Sequence, residues 1–119
     1  AIINVTRANA TNASTNSGPQ KPAPLKSFDP AKSIGIQPSK LKEDLGPANF
    51  IRQEGLVEIW QYHFTSCIVD FFFYPKSDKT AQLIVKSWDM RSVVINTDLS
   101  HSICQTEMNL YHRKILSNS

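Results

Sequence analysis

The sequence predicts an α+β domain: a short helix, a three-stranded antiparallel meander and a C-terminal helix packed on the sheet, behind an unstructured N-terminal tail. Three observations carry that expectation. Apolar, aromatic-rich runs follow one another at short spacing from residue 56 to residue 90. The links between them are too short for the crossover that a parallel pair needs. The last twenty residues repeat apolar side chains at helical and not strand spacing.

The first 27 residues contain no aromatic and no acidic side chain, and are rich in Asn, Ala, Thr, Ser and then Pro (Pro19, Pro22, Pro24). Such a segment buries too little apolar surface to offset the entropy of ordering it. Residues 1–27 are therefore expected to be a flexible tether, and residues 28–119 the folded domain. The tether carries Asn4-Val5-Thr6, Asn9-Ala10-Thr11 and Asn12-Ala13-Ser14, sequons that matter in a eukaryotic secretory setting and otherwise arise by chance in such a tract. The chain begins at Ala1 with no initiator Met, which suggests a mature or trimmed form.

Pro38-Ser39-Lys40-Leu41-Lys42-Glu43-Asp44-Leu45 reads as the first helix. Pro38 suits a first turn, and Gly46 with Pro47 supplies the stop. Ile34, Leu41 and Leu45 are expected on its buried side. Residues 56–64, 67–74 and 81–90 read as the three strands, with Gly55 before the first and a turn at residues 75–79. Phe50-Ile51-Arg52 is a candidate for a short additional strand. Simple alternation places Leu83, Val85 and Ser87 on one face of the third strand and Ile84, Lys86, Trp88 and Met90 on the other. Both faces of the sheet are substantially apolar, so one needs helical cover and the other is left for a partner.

In the last element, Ser102 and Gln105 fit a capping box. Cys104, Met108, Tyr111 and Ile115 form one helical stripe, and Arg113 and Lys114 lie near the C-terminus, where the helix dipole favours cations.

The two cysteines, Cys67 at the start of a strand and Cys104 at the start of that stripe, both point inward if the helix packs across the sheet. A disulfide there stabilises by about 3–4 kcal/mol in the chain-entropy model. The alternative is two unrelated buried thiols. His63, four residues before Cys67, would suit a thiolate nucleophile, but no third orienting group stands out, and a histidine at a strand end is the simpler reading. His63, His101 and His112 lack metal-ligand spacing, so no metal and no cofactor is expected. Asp70 is odd within an apolar strand: it is either a functional carboxylate or, the simpler reading, a residue that faces solvent or pairs with a neighbour such as Lys86 across the sheet. Trp60, Tyr62, Phe72, Tyr74 and Trp88 would stack on single-stranded nucleic acid only with interleaved cations. Only Lys86 is well placed, so core packing is expected and nucleic acid is not. The net charge of +3 is mild and scattered. No apolar stretch approaches the ~20 residues of a membrane helix.

Leu45-Gly46-Pro47, Arg52-Gln53-Glu54-Gly55 and Glu58-Ile59-Trp60-Gln61-Tyr62 together resemble the small outer-membrane lipoproteins of the SmpA/OmlA (BamE-like) type. They resemble still more closely uncharacterised envelope proteins of α-proteobacteria. The likeness covers residues 34–90. It implies a helical layer on a three-stranded antiparallel sheet, with Gly46 and Pro47 ending the helix, Gly55 opening the strand, and Trp60 and Tyr62 docking helix on sheet. It also implies a periplasmic or outer-membrane-associated location, protein partners there, possible membrane association and no enzymatic activity or small-molecule substrate. The best-known member is an accessory subunit of the β-barrel assembly machine, and a related fold inhibits β-lactamases. This chain departs from the pattern in showing no lipid-bearing Cys, one helix before the sheet instead of two, and a Cys67–Cys104 pair with a C-terminal helix. Fold and location carry over; the assembly-machine role does not. The expectation is a non-enzymatic envelope interaction module whose helix-free sheet face, with Phe72, Tyr74, Trp88 and Met90, contacts a partner. An inhibitor-like or ligand-sequestering secreted domain, using the loop at residues 75–79, is the alternative.

Overall fold

A computed structural model describes residues 25–93 and 100–118. The three sequons and most of the expected tether lie outside these residues. The order is a 3-10 turn (Pro30–Ser33), helix α1 (Pro38–Leu45), strands β1 (Phe50–Glu54), β2 (Val57–His63), β3 (Cys67–Ser77) and β4 (Thr80–Ser92), and helix α2 (Ser100–Ser117). The sheet is an antiparallel meander in the order β1-β2-β3-β4. It has four strands where three are expected. The candidate strand at residues 50–52 is real, and Gly55 makes its hairpin to β2 possible by turning at φ 61°.

Two further departures lie in β3 and β4. Pro75 is inside β3, paired with Leu83, and not in a turn. Odd-numbered β3 residues bond towards β2, and β2 ends at Val57 opposite Tyr74. The missing N–H of Pro75 therefore faces a place with no strand to receive it. In β4 the register shifts between Phe72/Phe73: Phe72 pairs with Ser87 but Phe73 with Val85, leaving Lys86 as an extra, bulged residue. That bulge reverses the alternation. Trp88 and Met90 then share a face with Leu83 and Val85, opposite to the expectation.

Both helices lie on this face, against Trp60, Tyr62, Cys67, Val69, Phe71, Phe73 and Val85. From α1 come Leu41 and Leu45, and from α2 Cys104 and Met108, all essentially inaccessible. Tyr111 packs partly buried beside them, and the Ile115 side chain reaches Gly46, so the apolar stripe of α2 is as the spacing predicts. Ile34, expected under α1, is half exposed, and Ile36 packs against the core instead. Phe28 inserts edge-on against Phe71. Asn109 Oδ1 accepts from the Phe28 N–H, and Gln105 Nε2 donates to the Phe28 carbonyl. Gln105 is thus bonded to Phe28 and not to Ser102; the helix starts at Ser100 and the capping box is not formed.

The disulfide Cys67–Cys104 joins the first residue of β3 to α2, with both residues 1% exposed. Nearby, Glu107 Oε1 accepts from both the backbone N–H and the hydroxyl of Ser66. At the other end of the layer, Gly46 stops α1 at φ 71°, ψ −173°, a conformation nearly restricted to glycine, while its N–H donates to the Lys42 carbonyl. The Tyr62 hydroxyl donates to the Gly46 carbonyl at 2.7 Å, fixing α1 to the sheet. Burial pushes the Tyr62 phenol above its usual range, and Tyr111 adds to the shift. His112 is buried in α2 and its Nδ1 donates to the Asp44 carbonyl at 2.6 Å, tying α2 to α1.

Candidate functional site: the helix-free sheet face

Every strand of a sheet has two faces, and here the second carries no helix among the described residues. The register sets its rows. Phe50, Gln61, Asp70 and Asp89 form one row. Arg52, Ile59, Phe72 and Ser87 form the next, and Glu54, Val57, Tyr74 and Ile84 the third. His63, Ile68 and Arg91 flank the first row on its far side.

The face divides into an apolar part and a polar ribbon. Val57, Ile59, Phe72, Tyr74 and Ile84 adjoin one another across β2, β3 and β4. None of them belongs to the core cluster on the opposite face. Ile59 is covered by its neighbours, Phe72 and Ile84 are half-buried, and Tyr74 is 40% exposed. Phe50, 55% exposed, extends this apolar surface to β1.

The ribbon is a chain of bonds across three strands. His63 Nε2 meets Gln61 Oε1 at 2.5 Å, and Gln61 Nε2 donates to Asp70 Oδ1 at 2.9 Å. Arg91 Nη1 donates to Asp70 Oδ2 at 2.5 Å and to Asp89 Oδ2 at 3.3 Å. Asp70 is 6% exposed, yet both its oxygens are satisfied, which is what a buried carboxylate requires. Its partner is Arg91, not the Lys86 expected from cross-strand position; Lys86 is the bulged residue. The Asp70 hydrogen bond raises the Arg91 guanidinium above its ordinary range. Arg91 remains about half exposed, so the ribbon offers a guanidinium paired with two carboxylates and a fixed donor–acceptor array beside the apolar patch.

The four expected partner-contact residues are therefore split. Phe72 and Tyr74 lie on the open face. Trp88 and Met90 lie on the helix side, packed partly buried against the core and bordering a shallow recess with His101 and Gln105. Trp60 and Tyr62 lie on the helix side, in the core cluster; Trp60 Nε1 also donates to Glu58 Oε2 at 2.6 Å. Val57 and Ile59 of β2, Ile68 of β3 and Ile84 of β4 share the open face with Phe72 and Tyr74. The His63–Cys67 pair does not present a nucleophile, because Cys67 is in the disulfide and His63 is bonded to Gln61. Among the described residues no group of three His, Cys, Asp or Glu side chains is placed to hold a metal ion, and no helix is long and apolar enough to cross a membrane.

No protein-family model, curated protein or solved structure matches the chain.

Proposed function

We propose that this chain is a non-enzymatic interaction module of the cell envelope, exported to the periplasm or the outer membrane, that binds a protein partner through the helix-free face of its sheet. The observation that carries this reading is the apolar patch of Val57, Ile59, Phe72, Tyr74 and Ile84, bordered by the Asp70–Arg91 ribbon and covered by no described element. An apolar centre with aromatic anchors and a satisfied polar border is the usual make-up of a protein contact. A buried disulfide suits an oxidising compartment. The sequence resemblance to BamE-like envelope proteins points the same way.

Fractionation of cells after alkylation of free thiols tests location. The expected result is an envelope fraction containing unalkylated, disulfide-linked protein; cytosolic protein with both thiols alkylated removes the proposal. Contact is tested by chemical crosslinking in whole cells. Phe72→Lys with Tyr74→Lys is expected to abolish the crosslinks made by the native chain.

A second reading, an inhibitor-like or sequestering domain, is favoured by the β3–β4 arm. Residues 76–82 are all exposed and project beyond the end of β2. Stoichiometric inhibition of a secreted enzyme, lost on altering residues 76–79, would support it over the first.

A further inference from the structure

The two edges of the sheet are treated differently. At the β4 edge the chain preceding α1 closes over the strand: Gly35 N–H donates to the Val85 carbonyl and Val85 N–H to the Ile36 carbonyl. At the β1 edge no described element pairs, and all five residues of β1 are exposed.

The hairpin fixes which backbone groups of β1 are free. Glu54 and Val57 flank a two-residue loop, so they form the doubly bonded pair of the ladder. Alternation then turns Arg52 and Phe50 inward and Ile51 and Gln53 outward. His63 supports this phase: its N–H points to the β1 side, where Asn49 Oδ1 accepts it. Natural edges are commonly blunted by charged side chains, proline or a bulge. β1 has no proline and no bulge, and its two charges, Arg52 and Glu54, neutralise each other at 3.0 Å.

Beside β1 on the helix side runs a groove of about 300 Å³, between the strand and α1. Its apolar wall is Pro38, Pro47, Ala48, Ile51 and Trp60, and Lys42 is its one charged lining residue. Lys42 is exposed and makes no ion pair among the described residues. A strand added to β1 would direct alternate side chains towards this groove, and main-chain bonds with side-chain pockets are the two elements of strand-addition recognition.

We propose that β1 and this groove take up an extended peptide segment of a protein partner, with an apolar side chain in the groove and a carboxylate two residues along, beside Lys42. The peptide becomes a fifth strand, bonded to the outward backbone groups of Ile51 and Gln53. This site is separate from the open face and does not depend on it.

The test is selection from a displayed library of random octapeptides against the disulfide-intact full chain. The most enriched sequence is then synthesised and titrated by NMR. Enriched sequences are expected to pair an apolar residue with Asp or Glu at i±2, and the Ile51 and Gln53 amides to slow in exchange on binding. Gln53→Pro removes an outward N–H without costing the monomer a ladder bond, and should weaken binding about tenfold or more. Ala48→Trp, which fills the groove, should do the same, and Lys42→Glu should reverse the preference from acidic to basic peptides. Tyr74→Lys should leave binding unchanged. Circular dichroism of each variant guards against unfolding. No enrichment, exchange changes away from β1, or binding indifferent to both Gln53→Pro and Ala48→Trp would overturn the proposal. Concentration-dependent dimers abolished by Gln53→Pro would also overturn it, by assigning the edge to a second copy.

Discussion

Replacing both Cys67 and Cys104 by alanine tests how far this small body depends on its covalent tie. The bond closes a loop of sequence separation 37. Loop-closure entropy for that length corresponds to about 4 kcal/mol at 25 °C. Loss of two fully buried sulfurs from the packed seam adds a smaller packing term. Domains of this size are stable by only about 5–15 kcal/mol in all, so the double variant is expected to lose a quarter or more of its stability. A lowering of the thermal midpoint by roughly 15–30 °C corresponds to that loss. Urea unfolding followed by circular dichroism reads it directly. The midpoint should fall and the slope should rise, because the uncrosslinked chain exposes more surface when unfolded. Hydrogen exchange should accelerate first in α2. Apart from the disulfide and its buried apolar stripe, that helix is tied down by side-chain bonds that include Glu107 to Ser66, Gln105 to Phe28 and His112 to Asp44. A loss below about 1 kcal/mol with unchanged slope would refute the reasoning, since the entropy term alone exceeds it.

Gly46→Ala should cost about 1–3 kcal/mol in the same assay, because φ 71° with ψ −173° is closed to other residues, and an added Cβ would lie 2.9 Å from Ile115 Cδ1. Tyr62→Phe should cost about 1–3 kcal/mol at neutral pH by leaving the buried Gly46 carbonyl without its donor. The same variant isolates an alkaline effect. The folded-state phenol titrates above its unfolded value near 10, so the unfolded chain loses its proton first and native stability falls as pH rises past about 10. Denaturation curves at pH 9 and 11 should show that fall in the native protein and a smaller one in Tyr62→Phe.

Much of this architecture was legible because it rests on local rules. Pro38 and Gly46 bound α1 at the residues their backbone preferences dictate, and Cys104, Met108, Tyr111 and Ile115 announce the buried stripe of α2. The pairing of Cys67 with Cys104 followed from placing both at inward positions. What failed did so where one long-range event outranks local pattern. Nothing about Val85-Lys86-Ser87 marks a bulge, yet one extra residue exchanges the two faces for everything after it. It moved Trp88 and Met90 from the expected contact surface to the helix side, and gave Asp70 to Arg91. Pro75 read as a turn because its tolerance inside β3 depends on where β2 happens to end. β1 was faint because an exposed edge strand has no buried face to impose alternation, and Phe50 and Ile51 stand side by side without it.

Site-specific photocrosslinking in cells tests the central claim most directly. A benzophenone amino acid is placed at Tyr74 on the open face and, as a control, at Lys114 on the exposed side of α2. The account predicts a discrete adduct with an envelope protein from position 74 and none from position 114. Equal labelling from both positions, or no adduct from position 74, would contradict it.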